Sequence, residues 1–289
     1  MRPAMLKICY AEERDKDFIR WTGNLLRSFL ATGRVGIVRQ KDQPDLMLAG
    51  IWRRHKFPPD LPVALVTNEN WQVFPPHFAL RRYRAVIGVC PPPPYLWGDG
   101  PQGALPFIQY PYEAVHFDAP LDRLYGQRDL RLQIPKRGFC CFVASNTLGE
   151  QAQRRQDVFQ ETNRFRPVDS AGSILNNTGY RAPRGTEFLD WVARYRFMIC
   201  LENSNSPGYV TEKALQASLA GTMPIYAGGG LEYFDRNAVV DASAPDYLAE
   251  LTRLDCNPNE YQHRRRLELY KSRPSLQAFE ARFAELLLT

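Results

Sequence analysis

Residues 195–213 read YRFMICLENSNSPGYVTEK, and this stretch decides the fold class. An apolar run, Phe197 to Leu201, is followed by a polar loop and then by an amphipathic stretch, Thr211 to Ala220. A second apolar run, Met223 to Ala227, follows directly. Apolar runs that alternate with amphipathic stretches are typical of βαβ units around a parallel sheet. The segment therefore predicts an α/β protein.

The same alternation continues outward to both ends of the chain. Upstream of residue 195, the pattern predicts a buried strand at 138–144 and helices at 150–165 and 187–195. In the first half it predicts a helix at 17–32 and strands at 6–10, 45–52, 62–67 and 83–90. No period of 20 to 50 residues recurs, which excludes solenoids and propellers. Two Rossmann-like halves follow from this pattern.

A change in composition predicts the domain boundaries. The segment Gln133 to Arg137 (QIPKR) is typical of a linker, because a new apolar run opens at Gly138. We therefore predict an N-terminal domain of residues 1–132, a C-terminal domain of residues 138–258, and C-terminal helices in residues 259–289 that pack on the domains or bridge them.

Composition excludes several classes of protein. With 44% hydrophobic and 24% charged residues, the 289-residue chain is globular rather than disordered. No run approaches the ~18–20 apolar residues that span a bilayer, and charges appear too early for a signal peptide. The six cysteines show no metal-ligand spacing and are predicted to be free, buried thiols. These features favour a cytoplasmic protein.

The net charge of +6 leaves several partners open. Nucleic acid is disfavoured, because basic and aromatic residues are not interleaved as in a single-strand binding platform. The densest cluster, His263 to Arg266, permits two interpretations: a solvated helix face, or a peripheral contact with an anionic membrane surface. Charge alone does not choose between them.

The loop after the run 197–201 carries the polar residues expected of a ligand site. In open α/β sheets, ligands bind beyond the carboxyl ends of the strands, where a helix N-terminus offers free N–H groups to an anion. Thr211 is a good N-cap, and Glu212 suits the first turn of a helix. Lys213 in that turn opposes the helix dipole, which favours a neighbouring anion. The candidate residues of this zone are Glu202, Asn203, Tyr209, Glu212 and Lys213.

Four motifs in register carry a resemblance to a known family. The string LENSNSPGYVTEK, with MPIYAGG after it, resembles the donor-binding motif of the α1,3/α1,4-fucosyltransferases. The upstream segments that match the family's order of elements are FCCFVASN at 139–146, Arg154-Arg155, VDSAG at 168–172 and NNTG at 176–179. In the N-terminal half the resemblance is limited to Thr67-Asn-Glu-Asn70, where Asn68 replaces the usual glycine.

The resemblance implies a fold, a reaction and partners. It implies a GT-B fold, in which a cleft separates an acceptor-side domain from a donor-side domain, and inverting transfer of L-fucose from GDP-fucose. The implied acceptor is an oligosaccharide or glycolipid of the galactose or N-acetylglucosamine type, such as a lipopolysaccharide, with α1,3 linkage. Two alternatives stay open: a different nucleotide-sugar donor, and a non-catalytic protein that binds glycans or nucleotides.

The resemblance also assigns roles to individual residues. Glu69, which follows the predicted strand 62–67, is the catalytic base by similarity, and Glu113 and Asp118 are reserve carboxylates. Arg155 and Lys213 are placed on the donor phosphates, although the register between Arg154 and Arg155 is open by one residue.

The remaining candidates complete the donor site. Asn203 would bind the fucose or phosphate region, Tyr209 a phosphate or fucose oxygen, and Glu212 the ribose hydroxyls. Asn146 is a secondary candidate, and Glu202 either binds ligand or holds the loop. Gly208 permits a sharp turn, and Gly228 to Gly230 form a flexible turn rather than a phosphate cradle. No Asp-x-Asp pair indicates a tightly bound metal, whereas loose stimulation by Mg or Mn stays open.

Overall fold

The computed structural model describes residues 5–11, 15–50, 58, 60–67, 83–89, 92, 107–112, 116–117, 119–145 and 151–286. The chain divides into two compact units. The first contains Met1–His116 and Ser275–Thr289, and the second contains Phe117–Pro274. Each unit has its own parallel sheet, so the predicted α/β class is confirmed.

The first unit is built on six described strands in the order β2-β1-β3-β4-β5-β6. They are β1 (Leu6–Tyr10), β2 (Val35–Ile37), β3 (Leu46–Ala49), β4 (Val63–Thr67), β5 (Ala85–Gly88) and β6 (Phe107–Gln109). Two helices follow β1, namely α1 (Lys16–Leu25) and α2 (Arg27–Ala31), where the sequence predicted one continuous helix. The side chain of Asp15 caps α1 by accepting hydrogen bonds from the backbone N–H groups of Asp17 and Phe18.

The second unit has five strands in the order β11-β10-β9-β7-β8, all pairing in parallel. They are β7 (Gly138–Phe142), β8 (Val168–Ser170), β9 (Tyr195–Leu201), β10 (Met223–Ala227) and β11 (Val240–Asp241). The helices are α3 (Leu121–Gly126), α4 (Arg128–Leu132), α5 (Ala152–Phe165), α6 (Thr186–Val192), α7 (Lys213–Leu219), α8 (Tyr247–Cys256) and α9 (Pro258–Arg264).

Residues 197–201 of strand β9 are all apolar because helices cover both faces of its sheet. Met198 and Cys200 join one buried cluster, whereas Phe197, Ile199 and Leu201 join the cluster on the other face. This explains why residues 197–201 form a continuous apolar run rather than an alternating one.

The division between the units falls before residue 117, whereas the sequence predicted a boundary at residue 132. Helices α3 and α4 belong to the second unit, and the side chain of Arg128 shows why. Its guanidinium donates to the carbonyl oxygens of Ser218 (2.9 Å), Arg265 (2.9 Å) and Leu267 (2.8 Å). These carbonyl groups all belong to the second unit, so the buried Arg128 side chain fixes α4 to that unit.

The last helix, α10 (Gln277–Leu286), returns to the first unit. The ring of Phe283 packs edge-on against Phe29, with centroids 5.4 Å apart, and Phe279 packs against Tyr110 at 6.3 Å. The aromatic side chains of this helix therefore complete the core of the first sheet.

The basic cluster 263–266 is not a uniformly solvated face, contrary to one of the two interpretations of the sequence. Arg264 and Arg265 are buried. Arg264 pairs with Glu250 at 2.6 Å, and Arg265 donates to the carbonyl oxygens of Gly221 (2.9 Å) and Leu132 (3.0 Å). Only His263 and Arg266 of the cluster are exposed. The two buried guanidiniums serve packing within the unit.

The described cysteines are free, as the sequence predicted. Cys9, Cys140, Cys141 and Cys200 are buried, whereas Cys256 is exposed, contrary to prediction. Burial raises the pKa of the Cys140 thiol, so this group stays neutral and unreactive. No helix in the described part of the chain is long and apolar enough to cross a membrane.

Lys136, in the predicted linker, is an amine of the second unit that burial perturbs strongly. Its ammonium donates to the carbonyl oxygens of Ala193 (2.8 Å) and Gly221 (2.9 Å) and lies 3.2 Å from the Thr222 hydroxyl. Burial and then the nearby guanidinium of Arg265 lower the pKa of Lys136 to about 7. The folded protein therefore loses this proton near neutral pH, whereas an unfolded chain keeps it to about pH 10.

We expect Lys136 to make the second unit more stable as the pH rises from about 7 to about 10. In that window the unfolded lysine binds a proton that the folded one does not, so the free energy of unfolding increases with pH. Relative to Lys136→Met, the wild type should gain up to about 1 kcal/mol per pH unit in urea unfolding. The exposed Lys271→Met variant is the control. Equal pH slopes in wild type and Lys136→Met would contradict this expectation.

Candidate functional site

Glu202, the first residue after β9, is the centre of the candidate site. Its side chain is fully buried. Its Oε1 accepts from the backbone N–H of Thr211 (2.8 Å), and its Oε2 accepts from the Thr211 hydroxyl (2.6 Å). Because both carboxylate oxygens of Glu202 accept hydrogen bonds from Thr211, they join the two ends of the loop formed by residues 203–210. Of the two roles left open for Glu202, the observed contacts are those of a residue that holds the loop.

Lys213 completes this cluster from the first residue of α7. Its Nζ lies 3.1 Å from Glu202 Oε2 and 2.7 Å from the Thr211 hydroxyl. Burial alone would lower the pKa of Lys213, but the carboxylates of Glu202 and Glu212 outweigh it and raise the pKa above its ordinary value. The ammonium is therefore permanently charged. The anion that the sequence argument expected beside Lys213 is present within the chain as Glu202.

The start of α7 differs from the sequence prediction. Thr211 was expected to be the N-cap, but the helix begins at Lys213 and Glu212 is the residue that precedes it. The Thr211 hydroxyl does not cap the helix because it donates to Glu202 instead. Glu212 itself is half-buried at the opening of the helix.

Arg155, on the first turn of α5, reaches the same loop. It is 2% exposed, and its Nη1 donates to Asn203 Oδ1 at 3.1 Å, with the Glu202 carbonyl at 3.5 Å. Burial lowers the pKa of Arg155, while the neighbouring Glu202 carboxylate opposes that shift. A guanidinium remains charged after such a shift because its ordinary pKa is above 12. The site therefore contains two fixed cations, Arg155 and Lys213.

Arg154 points elsewhere. Its Nη2 donates to the carbonyl of Ala242 at 2.5 Å, and its Nη1 lies 3.9 Å from Glu161. Adjacent helical residues differ by about 100 degrees in direction, so only one of the two arginines can face the loop. In this structure Arg155 faces the loop, and Arg154 anchors α5 to the segment after β11.

The positions around the loop require glycine for two different physical reasons, a positive φ angle and close packing. Gly208 has φ = +79°, the left-handed conformation that the predicted sharp turn requires, and Tyr209 after it is buried. Gly228 to Gly230 form a turn, as predicted, and this turn is closely packed. A Cβ on Gly229 would overlap the Ser206 carbonyl, and one on Gly228 would lie 2.5 Å from Glu202 Cγ. These glycines let the segment after β10 pack directly against the 203–210 loop.

The asparagines of the NNTG motif support the backbone around β8. Asn177 Oδ1 accepts from the backbone N–H of Ser170 (2.8 Å), and its Nδ2 donates to the Val168 carbonyl (2.9 Å). Asn176 donates to the carbonyls of Gly172 and Tyr180. The two asparagines thus hold the strand β8 and the turn after it.

The structure brings four of the sequence candidates into one hydrogen-bonded group: Arg155, Glu202, Asn203 and Lys213. Sequence reasoning missed Thr211, which binds both Glu202 and Lys213, because nothing in the local pattern distinguishes it from an ordinary N-cap. Four carboxylate and amide candidates lie outside the described residues: Glu69, Glu113, Asp118 and Asn146.

No group of three or more His, Cys, Asp or Glu side chains in the described ranges is arranged to hold a metal ion. The positive charges of the site come from Arg155 and Lys213.

Comparison with known proteins decides the family of this unit. The family described as glycosyltransferase family 10 (fucosyltransferase), C-terminal domain, matches residues 134–268. Residues 134–268 of the second unit are thus similar to a glycosyltransferase family 10 domain. The match includes all the strands of the second sheet. It also includes the hydrogen-bonded group of Arg155, Glu202, Asn203, Thr211 and Lys213, which we call the Glu202 cluster. The resemblance inferred from the motifs is therefore confirmed over this range.

Relatives of the family 10 domain extend the match. The chain is 42% identical over 93 residues to alpha-(1,3)-fucosyltransferase FucT of Helicobacter pylori, covering 32% of this chain and 18% of that protein. It is 32% identical over 136 residues to alpha-(1,3)-fucosyltransferase 4 of Bos taurus, covering 44% of this chain and 33% of that protein. The matches thus span a third or less of these two relatives' own lengths.

The whole fold also has a counterpart among solved structures. A crystal structure of an alpha1,3-fucosyltransferase with GDP-fucose matches 100% of this chain and 92% of that chain, with a TM-score of 0.71 and 22% identity. The chain therefore has the GT-B fold class that the resemblance implied, with one parallel sheet in each unit.

Proposed function

We propose that the protein is a fucosyltransferase that moves L-fucose from GDP-fucose to a hydroxyl of a glycan acceptor. The observation that carries this proposal is the meeting of Arg155, Asn203 and Lys213 beyond the carboxyl end of β9, within a family 10 domain. Ligands of open α/β sheets bind at this edge. Relatives named as alpha-(1,3)-fucosyltransferases and a fold shared with a GDP-fucose complex support it.

The two cations fit a leaving diphosphate. As the acceptor oxygen bonds to the fucose anomeric carbon, the bond to GDP breaks and its electron pair leaves with the β-phosphate. Arg155 suits this charge because a planar guanidinium can bind two phosphate oxygens at once, and Lys213 acts as a point charge. Both are held before the donor arrives, which lowers the cost of reorganisation during the reaction. We assign Asn203 to the fucose or phosphate region, Tyr209 to a phosphate or fucose oxygen, and Glu212 to the ribose hydroxyls.

We assign the catalytic base to Glu69, which follows β4 in the sequence. It would accept the proton of the acceptor hydroxyl as that oxygen attacks, with inversion at the anomeric carbon. Glu69→Gln should lower turnover by about a hundredfold or more, because general base catalysis contributes factors of that size. GDP affinity, measured by calorimetry, should be unchanged. Turnover at the wild-type rate would transfer the role to another carboxylate, with Glu113 and Asp118 tested next.

The direct test is release of GDP by purified protein. GDP-fucose is offered with acceptors that contain galactose or N-acetylglucosamine, and α1,3 linkage in the product is read by NMR. GDP release that depends on the acceptor is the expected result. Release only from a different nucleotide sugar would retain the fold and overturn the fucose assignment. GDP binding without turnover on any donor would indicate a non-catalytic binding protein.

Several finer expectations from the sequence stay predictions. They are stimulation by Mg or Mn, a cytoplasmic location and a peripheral membrane contact through the C-terminal helices. That contact would have to use exposed residues such as His263 and Arg266, since Arg264 and Arg265 are buried.

A further inference from the structure

A second cationic site lies in the second unit, apart from the Glu202 cluster. It is a cavity of about 670 Å³ whose lining residues all belong to the second unit. Four arginines line it, Arg123, Arg131, Arg137 and Arg194, against a single carboxylate, Asp190. An excess of guanidinium groups around one hollow favours an anionic occupant.

The cavity is at the opposite edge of the sheet from the candidate donor site. Arg137 immediately precedes β7, and Arg194 immediately precedes β9. The backbone N–H groups of Arg137 and Gly138 both donate to the Arg194 carbonyl, at 2.6 and 3.1 Å, which holds the two arginines side by side. The Glu202 cluster lies beyond the carboxyl end of β9, roughly 20 Å away for a strand of this length. The two sites are therefore distinct.

Arg131 supplies the buried part of the site. It is 6% exposed, its Nε donates to Asp190 Oδ1 at 2.9 Å, and its Nη2 lies 3.5 Å from Gln127 Oε1. Its Nη1 is buried and has no hydrogen-bond acceptor among the described residues. A buried guanidinium N–H without an acceptor is unfavourable, so a ligand oxygen brought to it by a small side-chain rotation would be stabilised.

The three other arginines supply the open part of the site. Arg123, Arg137 and Arg194 are exposed, and none forms an ion pair within the described ranges. Beside them stands Leu130, whose exposed fraction of 71% is the largest of the exposed large hydrophobic residues in the described part of the chain. Unpaired guanidiniums beside an exposed apolar side chain fit a ligand that is anionic at one end.

We propose that this cavity binds a phosphate group, presented either by a small phosphorylated compound or by the headgroup of an anionic phospholipid. Planar guanidinium groups bind phosphate oxygens in pairs, and several arginines around one hollow can surround a single phosphate. The site does not depend on the proposed fucosyl transfer, because none of its residues belongs to the Glu202 cluster.

Binding of inorganic pyrophosphate to the 289-residue chain tests the proposal, with saturating GDP present to occupy the donor site. A second arm measures co-sedimentation with vesicles of equal parts phosphatidylcholine and phosphatidylglycerol, against phosphatidylcholine alone. The cavity variant is Arg137→Glu/Arg194→Glu, with Arg137→Gln/Arg194→Gln as a milder version. The matched control is Arg84→Glu/Arg164→Glu, which changes the net charge equally at exposed arginines outside the cavity.

The cavity variants should weaken binding by about tenfold or more, while the control stays within about twofold of wild type. The midpoint of thermal unfolding should be unchanged in all variants, which shows that the second unit is folded whether or not GDP binds. Saturable binding of pyrophosphate supports a soluble ligand, and binding only to the anionic vesicles supports a lipid headgroup. Equal losses in the cavity and control variants, or no binding of either probe, would overturn the proposal.

Discussion

Glu202→Gln should destabilise the second unit and abolish high-affinity GDP binding. The carboxylate is fully buried, and it accepts hydrogen bonds from Thr211 and from the Lys213 ammonium. Removing one partner of a buried ion pair costs about 3–5 kcal/mol, because the other charge is left without compensation. The 203–210 loop would at the same time lose hydrogen bonds that join its two ends. We expect this loss in urea unfolding, and a fall in GDP affinity by about a hundredfold or more in calorimetry.

Two further variants separate folding from binding. Glu187→Gln, an exposed carboxylate of the same unit, should change the unfolding free energy by no more than about 0.5 kcal/mol. The double variant Glu202→Met/Lys213→Met removes both charges, and it should recover much of the lost stability because an apolar pair can replace a buried ion pair. GDP affinity should stay low, since a phosphate-binding cation is gone. Wild-type stability and affinity in Glu202→Gln would contradict the role assigned to this carboxylate.

Arg155→Ala should lower kcat/KM for GDP-fucose by about a thousandfold, whereas Arg154→Ala should stay within a few-fold of wild type. Arg155 is buried beside Asn203, so its charge is oriented and poorly screened by solvent. Cationic groups aimed at the charge that develops on phosphate contribute factors of this size to phosphoryl-group chemistry. Arg154 instead donates to the backbone of Ala242, away from the loop.

The neighbouring arginines form a matched pair of the same residue type on one helix. Initial rates of GDP release and GDP dissociation constants measure the effect on activity, and thermal unfolding checks the fold. Arg155→Lys retains the charge but not the planar fork, so it should lie between wild type and Arg155→Ala. A large loss in Arg154→Ala with little change in Arg155→Ala would reverse the assignment.

Strand prediction from the sequence succeeded in the middle of each sheet and failed at the edges. The predicted strands 6–10, 62–67 and 223–227 correspond to β1, β4 and β10 within a residue. The missed strands of the described sheets are β2, β6, β8 and β11, which stand at the ends of the strand orders. Each has two or three residues, too few for a pattern of apolar positions to emerge. Central strands are recognisable because both of their faces are buried.

The sequence by itself determined the α/β class, the order of the motifs and the loop that contains the candidate donor residues. These are properties of neighbouring residues. A strand buried on both faces and the start of a helix each produce a recognisable pattern within a short contiguous stretch of sequence. The resemblance of the motifs identified the family for the same reason, because the residues that carry it are close together in the chain.

Only the tertiary structure decided which partner each charged side chain has. Arg155 lies 48 residues from Asn203 in the sequence, and Arg128 reaches a carbonyl 139 residues away at Leu267. The burial of Arg264 and Arg265 and the close packing of Gly228 to Gly230 against the 203–210 loop arise in the same way. Such contacts depend on how distant segments pack. A buried cation needs a hydrogen-bond acceptor, and the tertiary fold determines which acceptor lies close to it.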